Sequence, residues 1–155
     1  MHFFSAHAPT LDKSDDIKAT FWSLLHAKVS AVPSKELVVI GIDANALTGP
    51  REQCGLGENQ GVLGAFGRDV LNTSGSDLLH FAEVNRLCVL NSFFQKPAAA
   101  TYTHQGIGEH KNRRYIDYVL VRQSMRHNVS DINVYHDQIL GKDSDHAPVI
   151  ATLRG

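Results

Sequence analysis

The sequence is poor in several things at once: its 155 residues include two cysteines and one tryptophan, and no charge dominates, the formal net charge being −1. Cys54 and Cys88 lie far apart, without the spacing of a metal-ligand pair or the density of a disulfide scaffold. That excludes a cysteine-based zinc module and fits a reduced intracellular setting, nuclear or cytoplasmic. The near-neutral balance excludes a global positive field that would draw the chain to nucleic acid, so such binding must rest on local charge, and the basic cluster is Lys111, Arg113 and Arg114. No apolar run approaches the roughly 20 residues of a membrane span, and the opening "MHFFSAHAPT" lacks the basic region and long apolar stretch of a signal peptide. The length suits a single domain over 1–155 with a real core. No segment repeats and none is of low complexity.

What is present reads as a mixed α/β layered domain. "HFFSAH" is expected as a strand, and a strand beginning at the first residue suggests a truncated parent. From about Asp12 to Val32, the apolar residues Ile17, Phe21, Leu24, Leu25, Val29 and Val32 recur at helical spacing, predicting an amphipathic helix that Pro33 ends. "LVVIGI", Leu37 to Ile42, is a continuous run of the kind covered on both faces. The Gly-rich stretch "TGPREQCGLGENQGVLGAFGRD" reads as a long surface loop. Ser76 is expected to cap a second helix, "DLLHFAEVNR", leading into the strand "LCVLNSFF". Further strands follow in "TYTH", "RYIDYVLV", "DINVYH" and "PVIATL", with one helical turn in "SMRHN". Strand, helix, buried strand, helix and then several strands indicate an α+β layered fold.

Polar residues collect where strands meet loops: Asp43 and Asn45 in "GIDANA", Asp117 in "RYIDYVLV", Asp145 and His146 in "SDHAPV", and His7 in "SAHAPT". Each has an ordinary alternative. Asp43 and Asn45 suit a turn, since both side chains bond nearby backbone. They do not begin a calcium loop, because "DANALTGPREQC" lacks glycine at the required position. Asp145 and His146 suit a solvated approach to the final apolar run, itself expected to be a buried strand. Asp117 resists this treatment: it shares a strand face with Val119 and Val121, where a carboxylate costs several kcal/mol unless paired. A hydrogen-bonded partner is therefore expected, and His146 is the natural candidate.

Taken together, "AHAPT", "ELVVIGIDANA", "FAEVNRLCVLNSFF", "YTH", "RRYIDYVLV" and "SDHAPV" resemble, in that order, the endonuclease/exonuclease/phosphatase superfamily, which includes exonuclease III and deoxyribonuclease I. Within it, the endonuclease domains of non-LTR retrotransposons and the craniofacial development protein 2 group are the most similar. The resemblance implies the C-terminal part of a four-layer αββα sandwich, a mixed sheet with helices on one face. It implies a phosphodiester hydrolase dependent on Mg²⁺ or Mn²⁺, most simply a DNA endonuclease. By the same resemblance, the acid matching Asp43 activates water, and the amide matching Asn45 grips the scissile phosphate. The carboxylate matching Asp117 orients the imidazole matching His146, and Asp145, with Asp43, holds the metal. Two positions depart from the pattern. His7 stands where the family often has a phosphate-contacting tyrosine, and His104 stands where the retrotransposon group usually has tryptophan.

The resemblance further implies that the first part of the domain, with an early Asn and a metal-binding Glu, is missing. One sheet then loses strands and the other its cover, so self-association or a complementing N-terminal half is expected. Two other functions fit the same residues: a non-catalytic remnant that binds or dimerises, and a phosphatase acting on phospholipid or inositol phosphate.

Overall fold

A computed structural model describes residues 1–54, 61–106, 112–136 and 144–154. At its centre is a four-stranded sheet in the order β1, β2, β6, β3, formed by His2–His7, Val38–Asp43, Asp117–Arg122 and Leu87–Val89. β1 and β2 are parallel and connected by helix α1 (Asp15–Ser30), while β6 runs antiparallel to both its neighbours. Two short ladders flank this sheet: β4 (His104–Gln105) with β5 (Arg113–Arg114), and β7 (Val129–Val134) with β8 (Val149–Leu153). The mixed α+β architecture expected from the sequence is thus the one found.

The two faces of the sheet are covered differently. Val38, Ile40, Ile42, Tyr118 and Leu120 are buried under α1 and α2 (Thr73–Val84), where Val29, Leu78, Leu79, Phe81 and Ala82 meet them. On the other face, Cys88, Val119 and Val121 pack against Val129, Ile132, Val149 and Ala151 of the β7–β8 hairpin. That cover stops short. Phe3 is 65% exposed and Gly41 is exposed, so β2 is covered on one face and only partly on the other, contrary to the two-sided burial expected. The final run is likewise an edge strand rather than a buried one: Ile150 and Leu153 face water while Val149 and Ala151 pack inward.

Local chemistry sets the helix limits. Ser14 caps α1, its Oγ accepting the Ile17 N–H at 3.4 Å, with Asp15 and Asp16 in the first turn where the helix dipole favours them. Ile17 and Leu24, expected on the buried stripe, are instead 51% and 63% exposed, since Phe21, Trp22, Leu25 and Val29 suffice to meet α2 and the sheet. α2 begins before Ser76, because Asn72 is its cap: Oδ1 accepts the Gly75 N–H at 2.8 Å and the Leu47 N–H at 3.1 Å. Gly75 permits the close approach; a β-carbon there would lie 1.9 Å from the Leu47 carbonyl oxygen. In the expected long surface loop, Thr48, Val62 and Leu63 are buried, and the Val62 carbonyl accepts from Val89 N–H. "LCVLNSFF" is a strand only to Val89, after which Leu90–Phe93 turns as a 3₁₀ segment. "SMRHN" lies within the 3₁₀ segment Gln123–Asn128.

Tyr118 locks the sheet to the loop after β2. Its fully buried hydroxyl lies 3.0 Å from the Ala46 carbonyl oxygen and 2.6 Å from that of Tyr115. Tyr118→Phe removes the only donor these carbonyls gain from that side chain. It is expected to destabilise the fold by about 1–3 kcal/mol, read as a lower urea midpoint with unchanged slope.

Candidate active site

The strand register assembles a row of titratable side chains at one end of the sheet. His7 pairs with Asp43, and Asp43 pairs with Asp117, so three neighbouring strands present these residues on the face opposite the helices. The row is possible because each strand keeps its apolar residues in phase below it: Val39 and Gly41 in β2, Val119 and Val121 in β6. His7 Nε2 stands 3.5 Å from Asp43 Oδ2.

His146 arrives from the far end of the chain. The segment before β8 bridges β4: Gln105 N–H donates to the Asp145 carbonyl at 2.9 Å and Ala147 N–H to the Thr103 carbonyl at 2.7 Å, so His104 and His146 stand directly opposite. That arrangement carries His146 over the row. Its Nδ1 lies 2.9 Å from Asp117 Oδ2, while its Nε2 lies 3.8 Å from Asp43 Oδ2 and 4.0 Å from Asp145 Oδ1. One imidazole is thus surrounded by three carboxylates.

Asp117 is held by more than this pair. β3 leaves β6 after Val89, and the side chain of Asn91 takes over its role: Oδ1 accepts the Val119 N–H at 2.9 Å and Nδ2 donates to the Asp117 carbonyl at 3.2 Å. Thr103 Oγ1 accepts the N–H groups of Ile116 and Asp117 at 3.1 and 3.0 Å.

Electrostatics follow from this packing. Burial pushes the Asp117 carboxyl up, opposed by the Thr103 hydroxyl and by the hydrogen bond and charge of His146, while the like charge of Asp43 adds to the rise. For His146, burial is the largest single influence and acts downward, yet the Asp117 hydrogen bond and the charges of Asp117, Asp43 and Asp145 together raise it. Asp145 falls below the usual carboxylate range through its own backbone N–H and, against slight burial, the charges of His104 and His146. Two sets of ligand atoms lie within 4.8 Å of one another, one from Asp43, Asp117 and His146, the other from His104, Asp145 and His146. Either offers ligands for a divalent metal.

Five of the six residues singled out from sequence thus gather around His146 or Asp43. Asn45 is the partial exception. β2 ends at Asp43, so the alternation of strand faces does not extend to Asn45, which adopts φ 47°, a left-handed conformation asparagine tolerates. Its backbone N–H donates to Asp43 Oδ1 at 3.1 Å, the turn that the ordinary reading anticipates, and its Nδ2 donates to the Ala8 carbonyl at 2.9 Å. His104, which the sequence marks only as a departure from the retrotransposon pattern, joins the site, its Nε2 3.2 Å from Asp145 Oδ2. Only the long-range pairing of β4 with the segment before β8 brings it here. Of the basic cluster, Arg113 and Arg114 are exposed, Arg113 lying 4.4 Å over the Tyr102 ring; Lys111 lies outside the described residues.

No protein-family model matches the chain. Craniofacial development protein 2 of Bos taurus is 30% identical over 148 residues, covering 96% of this chain and 24% of that protein; the Tragulus javanicus protein of the same name is 30% identical over 147. The chain therefore spans about a quarter of the length of the curated relatives it matches. Among solved structures, the Neisseria 3′ phosphatase NExo bound to a product DNA hairpin superposes with TM-score 0.66 at 19% identity, over 94% of this chain and 56% of that one. The endonuclease domain of TRAS1, a telomere-specific non-LTR retrotransposon, gives TM-score 0.61 at 16% identity over 92% and 53%. The chain has the endonuclease/exonuclease/phosphatase fold. The expectation of self-association gains no support from these likenesses.

The raised His146 value has a defined consequence for metal-free protein. The unfolded imidazole titrates near its ordinary value of about 6.5, and the folded one above it, so the stabilisation is complete below about 6.5 and is lost as pH rises through the folded value. In Asp117→Asn, which removes the charge and leaves only a neutral amide oxygen to accept from Nδ1, His146 is expected to titrate at lower pH and the decline in stability across neutrality to flatten. Imidazole proton NMR across pH, paired with urea denaturation, checks both; an unmoved His146 titration would refute the assignment.

Proposed function

We propose that the chain is the C-terminal part of a divalent-metal-dependent phosphodiester hydrolase, most simply a DNA endonuclease of the retrotransposon type. What supports this is the convergence of Asp43 and Asp145 on the Nε2 of an imidazole whose Nδ1 is tied to Asp117. In this reading Asp117 positions His146, and protonated Nε2 donates to a phosphate oxygen. Asp43, with Oδ1 held by the Asn45 N–H, keeps Oδ2 for the attacking water. Asn45 and the exposed His7 grip the phosphate.

Mg²⁺ or Mn²⁺ is the cation the family resemblance implies, and Asp145 with Asp43 would hold it. A bound cation would polarise the phosphate and stabilise the leaving oxyanion. The fit to Mg²⁺ is poor around Asp145, where the neighbouring donors are the imidazoles of His104 and His146, because Mg²⁺ demands near-complete oxygen ligation. Weak Mg²⁺ binding is the corollary. DNA as substrate accords with the DNA-bound relative and with exposed Arg113 and Arg114, and it implies a nuclear or cytoplasmic location. Among the described residues no helix is long and apolar enough to cross a membrane.

The test is nicking of supercoiled plasmid with divalent metal, by the chain alone and with a first half-domain restored by fusion or in trans. Nicking is expected to be weak alone and strong when restored. Asp43→Ala or His146→Ala in the restored form should lower the rate by about 10²–10⁴-fold, the usual span for losing an acid or base. Inactivity of the restored form would favour a binding remnant. Hydrolysis of inositol phosphate or phospholipid without DNA cleavage would favour the phosphatase reading.

A further inference from the structure

We infer that His104, Asp145 and His146 form a nitrogen-rich binding site for a first-row transition metal of the zinc type, distinct in its preference from an oxygen-lined magnesium site. The backbone sets the geometry. His104 and His146 are direct cross-strand partners, and the hydrogen bonds on either side run from Gln105 N–H to Asp145 and from Ala147 N–H to Thr103. That is the non-hydrogen-bonded pairing of an antiparallel ladder, the one in which opposed side chains stand closest. The two rings accordingly meet edge to face with centroids 4.9 Å apart.

Asp145, adjacent to His146, adds the third donor. Its Oδ2 is 3.2 Å from His104 Nε2 and its Oδ1 is 4.0 Å from His146 Nε2. Zinc bonds nitrogen and carboxylate oxygen at about 2.0–2.1 Å, so two ligands of a tetrahedral ion lie about 3.3 Å apart. The His104 to Asp145 distance already matches, while Asp145 Oδ1 and His146 Nε2, 4.0 Å apart, must close by about 0.7 Å to share an ion.

His146 is also prepared for this role by its other nitrogen. With Nδ1 bonded to Asp117 at 2.9 Å, Nε2 is left as the free donor, the carboxylate–histidine–metal arrangement that fixes tautomer and ring orientation. His104 lacks such support among the described residues, where its buried Nδ1 has no partner. Two imidazoles and one carboxylate leave a fourth position for water or substrate, the composition of an open site, and imidazole donors favour zinc-like ions over magnesium.

The inference shares Asp145 and His146 with the hydrolase reading but is tested without substrate, so either can fail alone. The purified chain is titrated at mildly alkaline pH with Zn²⁺ against a chromophoric chelator, and with Co²⁺ followed by visible absorption. One equivalent should bind, resist displacement by excess Mg²⁺, and shift the ring nitrogen resonances of His104 and His146 rather than those of other histidines. His104→Gln and Asp145→Asn should each weaken binding more than about tenfold, while the exposed His127→Ala leaves it unchanged. The nitrogen NMR of the unaltered chain decides the case should a variant fail to fold. No binding, binding retained in His104→Gln, displacement by equimolar Mg²⁺, or resonance shifts confined to other histidines would overturn the inference.

Discussion

Two carboxylates face each other across the β2–β6 ladder, and the rest of this molecule is arranged around that fact. Asp43 and Asp117 are in direct register, on the same face, one of them substantially buried. Like charges so placed oppose strand pairing, and a desolvated carboxylate costs more still unless it is paired. The imidazole of His146 answers both, bonding Asp117 through one nitrogen and standing near Asp43 with the other. Left uncovered, the end of the sheet that carries this row would be unfavourable. With the C-terminal segment laid across it, the same row becomes a site.

The delivery of that segment depends on a few polar contacts that replace regular strand pairing. Thr103 accepts from Ile116 and Asp117 through its hydroxyl and from Ala147 through its carbonyl, joining β4, β6 and the approach to β8 at one residue. Asn91 supplies the missing strand partner where β3 turns away. Thr103 and Asn91 are both buried, so each bond is shielded from water and a loss at either leaves an unsatisfied backbone group. The site is buried at its base and open at its rim, with His7 and Asp145 at the solvent edge.

Much of this was legible in the sequence because local rules happened to agree. Helical periodicity gave α1, the apolar runs gave β1 and β2, and face parity in β6 correctly put Asp117 beside Val119 and Val121 and demanded a partner. The misses share a cause. α2 starts before the expected Ser76 because Asn72 caps it and Gly75 lets helix and loop touch. Asn45 escapes the strand rule because the strand stops two residues before it. His104 stood out in the sequence only as a departure from the retrotransposon pattern, because its place beside Asp145 lies in a cross-strand register between segments far apart in sequence, which no local pattern encodes.

Asp117 fixes His146 so that Nε2, rather than Nδ1, faces Asp43 and Asp145. The most direct measurement is the tautomer of neutral His146 in metal-free protein, read from long-range proton–nitrogen correlations of the imidazole ring. The proton is expected on Nδ1, with Nε2 bare. A neutral ring carrying its proton on Nε2 would contradict it.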